Sequence, residues 1–368
     1  MDLALSEDQR LIAAAAADFL AEACDSAAMR RAAASEDGFD RALWQCITEQ
    51  GWCGVQAPPE EDGLGLGWVG LALLQEQLGR RLACVPFFDS VVLSAALLRG
   101  LADAGRPQLA EVERGTEVVA CALEAGAARA LPDGSGWRLE GTWAQVGSAA
   151  WADTLLLAAT DPAGATVLLA VSSGSPALRI EPLRSIDTTR RSARVQAQGI
   201  VLPAGACLGR GDTLDEALRR ARDLAAIGLA AEQLGTAQQC LELSTAYTVQ
   251  RLQFGQPVAR FQAVKHRCAQ MLVAIESARS AVYGAAAVAD LEPDAATLAF
   301  HAAQARCEAT EAAQFCAQEA IQLHGGVGYT WEYDPQLYFK RAQADSQRLQ
   351  PLSWWRERVA AQLLERAP

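Results

Sequence analysis

The stretches of sequence that decide the fold are RLQFGQP at residues 251–257 and QLHGGVGY at residues 322–329. Each one closes a long helical pattern of apolar residues. Each also places polar side chains beside glycines, where a backbone can approach a ligand closely. The first stretch is followed by Phe261, Gln262 and His266. The two stretches together indicate long helices that end at a ligand-binding site.

The size and charge of the chain limit the classes of function that it can have. Its 368 residues predict two or three domains, and 51 % hydrophobic with 21 % charged residues is ordinary for a soluble protein. The formal net charge is −12, and no block of Lys or Arg is present. Nonspecific nucleic-acid binding needs a basic surface and is therefore not expected. A few well-placed arginines can still bind an anionic cofactor.

Cysteine usage and the amino terminus predict a cytoplasmic protein. The sequence begins Met1-Asp2-Leu3 and lacks the basic start of a signal peptide. No uncharged apolar run reaches the roughly 18 residues of a membrane span, so no membrane association is expected. The ten cysteines are scattered without a Cys-x-x-Cys pair. We expect buried free thiols and no metal site.

Periodicity divides the chain into three segments and predicts an α+β multidomain protein that is mostly α. Residues 1–115 show helical patterns and form an N-terminal helical domain. Short apolar or alternating runs separated by Gly, Pro and Asp predict a small middle antiparallel β-domain at residues 116–205. Residues 206–368 return to long helical patterns and predict a C-terminal long four-helix bundle.

Each glycine-marked stretch has a structural interpretation beside the functional one. Arg251 ends a helix, where a cation is stabilised by the helix dipole alone. Its planar fork of donors also suits a diphosphate, with Phe254 packed beside a ring. The glycines at 325 and 326 could simply stop a helix. His324 is expected to be a structural histidine.

In combination these residues resemble the acyl-CoA dehydrogenase family. One family pattern is matched at Arg251, Phe254, Gly255, Pro257, Gln262 and His266, and residues 322–329 resemble the family's Gln-x-x-Gly-Gly-x-Gly-Tyr element. The resemblance extends to the acidic glycine-rich stretch at 58–67. It implies an acyl-CoA dehydrogenase-like fold and FAD as cofactor. It also implies that six residues bind FAD, mostly its adenosine diphosphate part, across a subunit interface: Arg251, Phe254, Gln262, Gln322, Gly325 and Gly326.

The middle segment departs from the family pattern. Relatives carry a Trp-(Ile/Val)-Thr segment whose threonine meets the flavin ring, whereas here Trp143 is followed by Ala144, Gln145 and Val146. The segment after Ala122 also lacks the Thr-Glu-Pro pattern of relatives. The polar groups expected around the isoalloxazine ring are therefore missing.

No residue is assigned as the catalytic base. Removing the α-proton of an acyl thioester requires a base, usually a carboxylate with a raised pKa. Most relatives place it where this chain has Leu349-Gln350-Pro351, and others where it has Ala225. Asp223 lies about 200° around the helix from Ala225, and Asp345 is a weaker candidate. Both are expected to be solvated surface carboxylates.

These features predict the base-lacking subunit of a heteromeric acyl-CoA dehydrogenase that forms a 2,3-enoyl-CoA. A related subunit, as in a heterotetramer, would supply the carboxylate, and an electron-transfer flavoprotein would be the acceptor. The substrate would be an acyl-CoA from fatty acid or steroid side-chain degradation. Three alternatives remain: a self-sufficient homo-oligomeric acyl-CoA dehydrogenase, a flavin monooxygenase on the same fold, and a non-enzymatic scaffold subunit.

Overall fold

A computed structural model describes residues 4–365, with the side chain of Glu365 outside that description. The expectation about the amino terminus rests on Met1–Leu3, which lie outside the described residues. The described chain forms two compact units. The bundle unit holds the described residues up to Ala32, Leu66–Ala83 and the chain from Ala226 onward. The sheet unit holds Ala33–Gly65 and Cys84–Ala225. The three-domain division by sequence stays a prediction.

Helices make up most of the bundle unit and part of the sheet unit. In chain order they are α1 (Glu7–Ala23), α2 (Ser26–Ala34), α3 (Arg41–Glu49), α4 (Gly67–Arg81), α5 (Ala95–Gly100), α6 (Arg106–Glu113), α7 (Asp212–Gln250), α8 (Gln262–Ala289), α9 (Ala295–His324), α10 (Pro335–Asp345) and α11 (Leu352–Glu365). The boundary between the units falls within α7. The long helices α7, α8 and α9 confirm the predicted helical carboxy-terminal segment.

The first helix begins where its sequence predicts. The Ser6 hydroxyl accepts a hydrogen bond from the Gln9 amide at 3.1 Å, and the Gln9 side chain accepts one from the Ser6 amide at 3.0 Å. This reciprocal capping box satisfies two amides that have no partner within the helix. A similar cap starts α9, where Asp294 accepts from the Thr297 amide.

Helices α4 and α7 cross with their backbones in close contact. A Cβ atom at Gly79 would lie 2.0 Å from the Glu232 carbonyl oxygen, and one at Gly235 would lie 1.9 Å from that of Glu76. Only glycine leaves room for such an approach, so these two glycines determine the crossing. The glycine that interrupts the long α7 pattern therefore has a packing function.

Charged groups inside the bundle unit are paired. Glu76 accepts hydrogen bonds from Arg279 at 2.7 Å and from the Tyr283 hydroxyl at 2.5 Å. Glu232 accepts from Arg341 at 2.5 Å, and both side chains are almost fully buried. Since an uncompensated buried charge is costly, these pairs hold α4, α7, α8 and α10 in one arrangement.

The sheet unit is built on one eight-stranded sheet. Its strands are β1 (Val119–Ala122), β2 (Arg129–Asp133), β3 (Gly136–Gly147), β4 (Thr154–Thr160), β5 (Thr166–Ser172), β6 (Leu178–Pro182), β7 (Ser192–Leu202) and β8 (Cys207–Arg210). The order is β6-β7-β3-β2-β4-β5-β8, with β1 beside β4. Most pairings are antiparallel, as predicted, but β1 and β2 each pair with β4 in parallel.

The segment at residues 88–100 forms two different helices. Phe88–Ser94 form a π-helix, and α5 follows it. In the wider turns the Ser90 hydroxyl accepts from the Val119 amide at 3.0 Å, and the Ser94 hydroxyl donates to the Val119 carbonyl at 3.0 Å. These side-chain bonds tie the helix to the sheet, and apolar periodicity does not detect them.

By length and composition one described helix, α8, could cross a membrane. The same test is passed by core helices of soluble proteins, and 39 % of the apolar window of α8 is buried inside the protein. Within the bundle unit α8 packs against α9.

The connection between α10 and α11 contains a strained turn. Leu349 has φ 55° and Gln350 has φ 92°, values that favour glycine, and Pro351 follows. Arg306, which is fully buried, donates to the carbonyl oxygens of Asp345 and Arg348 just before this turn. The buried arginine therefore holds the segment in which the strain is stored.

Replacing Gln350 by glycine is expected to stabilise the protein, because glycine adopts a positive φ without strain. The expected gain is about 1 kcal/mol, seen as a rise of about 2 °C in Tm by differential scanning calorimetry. Gln347→Gly is the matched control, since its φ is not positive, and it should lower Tm. A fall in Tm for Gln350→Gly would contradict the strain.

Candidate functional site

The carboxyl end of α7 presents Arg251 and Phe254 to solvent. The Arg251 amide still donates to the Tyr247 carbonyl at 2.9 Å, so the helical direction is kept to that point. A two-stranded hairpin follows, β9 (Leu252–Gln253) and β10 (Gln256–Pro257). Phe254 at its tip has φ 51° and is 90 % exposed. The hairpin therefore displays an aromatic ring that folding alone would bury.

The segment around this hairpin is positively charged in an otherwise acidic chain. No Asp or Glu occurs between Glu242 and Glu276. Arg251, Arg260 and Lys265 are exposed in that segment, and no carboxylate among the described residues pairs with them. By contrast Arg267 is bound to Glu319 at 3.0 Å. Unpaired cations on one surface attract an anionic ligand.

The second glycine-marked stretch leaves its backbone open. Helix α9 ends at His324, and Gly325 follows with φ 63°. Gln322, Gly325 and Gly326 are exposed. A Cβ atom built on Gly325, Gly326 or Gly255 would meet nothing within 4 Å. These peptide groups can therefore be approached by a large flat ligand.

Three rings join the two stretches. Tyr247 in α7 stacks on His324 at the end of α9, with centroids 4.4 Å apart and planes inclined by 20°. Tyr333 meets Tyr247 edge-on at 5.8 Å and His324 at 6.1 Å. Residues that are about 70 positions apart in sequence thus lie at one end of the bundle unit.

Further exposed aromatic residues lie close in sequence to Tyr333. Tyr329 is 70 % and Trp331 65 % exposed. The Lys340 ammonium lies 4.3 Å from the Trp331 ring centroid, and Arg30 donates to the Trp331 carbonyl at 2.6 Å. Aromatic faces, unpaired cations and open glycine backbone are the groups that a nucleotide diphosphate requires.

The comparisons with known proteins identify the family. Two family models match the chain: "Acyl-CoA dehydrogenase, N-terminal domain" over residues 6–111 and "Acyl-CoA dehydrogenase, C-terminal domain" over residues 216–347. The acyl-CoA dehydrogenase IpdE2 of Mycobacterium tuberculosis is 33 % identical over 349 residues, 94 % of this chain and 93 % of that protein. The chain belongs to the acyl-CoA dehydrogenase family. Its class is therefore that of the oxidoreductases.

Solved structures of this family confirm the fold. A chain of the ChsE4–ChsE5 complex from Mycobacterium tuberculosis is 26 % identical, with a TM-score of 0.89 and full coverage of both chains. A variant of the steroid acyl-CoA dehydrogenase Tcur3481–Tcur3483 is 29 % identical, with a TM-score of 0.86 and 98 % coverage of both chains. Both are described as pairs of differently named proteins.

The middle segment offers little to a flavin ring. Trp143, which the sequence aligns with the tryptophan of the Trp-(Ile/Val)-Thr segment of relatives, is 4 % exposed. Its indole donates to the Ala158 carbonyl at 2.9 Å, so this tryptophan belongs to the interior of the sheet unit. Gln145 is exposed and lies 3.5 Å from the Ser192 hydroxyl. The structure therefore places Trp143 in the core.

The two weak candidates for the base are not surface carboxylates, and that expectation was wrong. Asp223 is 5 % and Asp345 1 % exposed. Each lies on a helix face that packs inward, which sequence position alone did not show. Ala225 is fully buried, and Leu349 with Gln350 forms the strained turn. At the two positions used by relatives, no side chain can accept a proton.

Sequence reasoning missed the residues that support the site. Tyr247 precedes Arg251 by one helical turn, and Tyr333 follows the second glycine-marked stretch. Arg30 is remote in sequence, yet it binds Asp334 at 2.6 Å and holds the loop that carries Tyr333. Tyr247 could have been noticed because it stands one helical turn before Arg251. No nearby sequence feature predicts that Arg30 contacts this region.

The burial of His324 gives a testable pH dependence. Its Nδ1–H donates to the Ala320 carbonyl at 2.6 Å. Desolvation lowers the pKa of His324, while that hydrogen bond and the charge of Asp334 partly oppose the shift. The folded protein thus disfavours the protonated ring. The stability that this gives is complete above the unfolded pKa near 6.5 and is lost as the pH falls below it.

Lowering the pH from 7.5 to 5.5 should therefore reduce Tm more in the wild type than in His324→Phe, which has no ring proton to gain. Tm measured at both pH values for both proteins tests this expectation. His301→Phe is the control for the loss of a histidine elsewhere in the chain. Equal reductions for wild type and His324→Phe would show that His324 does not contribute.

Proposed function

We propose that this chain is the base-lacking subunit of an FAD-dependent acyl-CoA dehydrogenase, which forms a 2,3-enoyl-CoA together with a related subunit. The observation that carries the proposal is an asymmetry. The groups that suit a nucleotide are all present and exposed. Of the two positions where relatives place the catalytic base, one holds Leu349 and Gln350 and the other holds Ala225. A chain that binds the cofactor and has no carboxylate at either of these positions is expected to need a partner that carries one.

FAD is the cofactor used by this family, and the residues present fit its nucleotide part. Arg251 offers a bidentate fork to the diphosphate. Phe254 offers a ring face, and the peptide groups at Gly325 and Gly326 can be approached without hindrance. Gln262, the first residue of α8, and Gln322, near the end of α9, add exposed amides. When bound, FAD accepts the hydride that leaves Cβ of the acyl group.

The exposure of these groups supports binding across a subunit interface. Phe254, Leu252 and Val249 are each more than 60 % exposed around the end of α7. Leu272 and Val273 on α8 are also exposed. Such apolar surface is typical of a face that another subunit covers. In the proposed enzyme that subunit supplies the flavin-ring surroundings and the carboxylate.

The further details of the enzyme rest on its similarity to relatives. Two similar structures carry the names of two different proteins each, which favours a heterotetramer of two unlike chains over a homo-oligomer. One of them is a steroid acyl-CoA dehydrogenase, so we propose a bulky acyl-CoA such as a steroid side-chain thioester as substrate. An electron-transfer flavoprotein in the cytoplasm would reoxidise the flavin.

Co-expression of this chain with related acyl-CoA dehydrogenase chains encoded beside it tests the pairing. The expected product is a complex with one flavin per two chains, whose absorbance at 450 nm is bleached by acyl-CoA. This chain purified alone should bind little flavin. A homo-oligomer of this chain with one flavin per subunit, bleached by acyl-CoA, would overturn the proposal in favour of the self-sufficient alternative.

Replacing Arg251 by glutamine should weaken FAD binding by the reconstituted complex about 10- to 100-fold, because charge-assisted hydrogen bonds contribute about 1.5–3 kcal/mol. The dissociation constant is measured by flavin fluorescence on FAD-free complex. Arg267→Gln is the matched control, since Arg267 is already bound to Glu319 and its loss should change affinity little. Equal effects of the two substitutions would remove Arg251 from the site.

A further inference from the structure

Three aromatic rings in mutual contact connect the two parts of the proposed cofactor site. We call Tyr247, His324 and Tyr333 the aromatic joint. They come from three separate segments, namely α7, the last residue of α9, and the loop before α10. The Tyr247 and His324 rings are nearly parallel at 4.4 Å, and Tyr333 closes the group edge-on. Nearly parallel and edge-on contacts are the favourable arrangements of aromatic rings.

Two of the rings are linked through the backbone to residues proposed to touch FAD. The Tyr247 carbonyl accepts from the Arg251 amide at 2.9 Å, one turn further along the chain. His324 stands between Gln322 and Gly325 in sequence, and its ring is fixed by the 2.6 Å bond to the Ala320 carbonyl. A shift of either ring therefore moves the ligand-facing residue next to it.

The histidine of the joint faces inward. His324 is 5 % exposed, whereas Gln322 and Gly325 on either side of it are exposed. The Tyr247 ring covers one face of the imidazole. The loop that carries Tyr333 is held separately, because Arg30 binds both Asp334 and the Trp331 carbonyl. The imidazole thus has fixed surroundings and acts on a ligand only through its neighbours in sequence, whereas Tyr333 is 38 % exposed.

We propose that the aromatic joint is a positioning device, which sets Arg251 and Phe254 at the correct distance from Gln322 and Gly325. Phe254 and Gly325 lie beyond the ends of α7 and α9 and have positive φ, 51° and 63°, so the helices alone do not fix their direction. The contacts within the aromatic joint supply that constraint. This inference rests on the proposed function, since it assigns the joint to the FAD site of the two-chain enzyme.

Tyrosine substitutions in the reconstituted two-chain complex test the joint. Tyr247→Leu removes the ring and should raise the dissociation constant for FAD at least 10-fold. Tyr247→Phe keeps the ring and should bind FAD as the wild type does, since the hydroxyl has no hydrogen bond to the described residues. At saturating FAD the kcat of Tyr247→Leu should stay near that of wild type, because the partner supplies the base.

A loss of fold stability is distinguished from a loss of positioning by a control in the same unit. Tyr338→Phe removes the buried hydroxyl that donates to the Arg80 carbonyl at 2.6 Å, so it should lower Tm without changing FAD affinity. Should Tyr247→Leu not fold, Tyr333→Leu takes its place, because Tyr333 is 38 % exposed and its loss is better tolerated.

The outcomes separate the inference from the proposed function. Wild-type affinity for FAD in both Tyr247→Leu and Tyr333→Leu would overturn the joint. An affinity loss in Tyr338→Phe as large as in the joint variants would also overturn it, since general destabilisation would then explain the effect. A wild-type complex that binds no FAD would instead overturn the proposed function on which the joint depends.

Discussion

The close crossing of α4 and α7 is the constraint on which the rest of the bundle unit depends. Gly79 and Gly235 bring the two backbones into contact, so that Glu76 and Glu232 point into the bundle. Their buried charges then require Arg279, Tyr283 and Arg341 from the neighbouring helices. This fixes the direction in which α7 runs to its end. The position of the helix end at Arg251 thus depends on the α4–α7 crossing, about four helical turns earlier in the chain.

The long helices and most strands could be predicted because their apolar spacing is regular. The long helices α7, α8 and α9 lie in the segment that was predicted to be helical. Elements whose side-chain contacts are nonlocal were missed. The short strand β6 has a mixed burial pattern, and α2 is mostly alanine and arginine. The π-helix at Phe88–Ser94 depends on bonds to Val119, which no local pattern contains.

The candidate site was predicted in part, for the same reason. Arg251, Phe254, Gln322 and the two glycines stand in recognisable patterns and are displayed at the surface. What joins them is long-range stacking between α7 and α9, which depends on how the helices are aligned. The burial of Asp223 and Asp345 likewise depends on helix rotation. Sequence can therefore name the groups that face a ligand more readily than those that hold them in place.

The strained turn at Leu349 and Gln350 also has a meaning for protein engineering. Arg306 fixes the carbonyl groups that precede the turn, so its backbone path is independent of the two side chains that it carries. A carboxylate introduced at Leu349 would point in the direction that this fixed backbone gives it. A single substitution at Leu349 would therefore place a carboxylate on a backbone path that is already fixed.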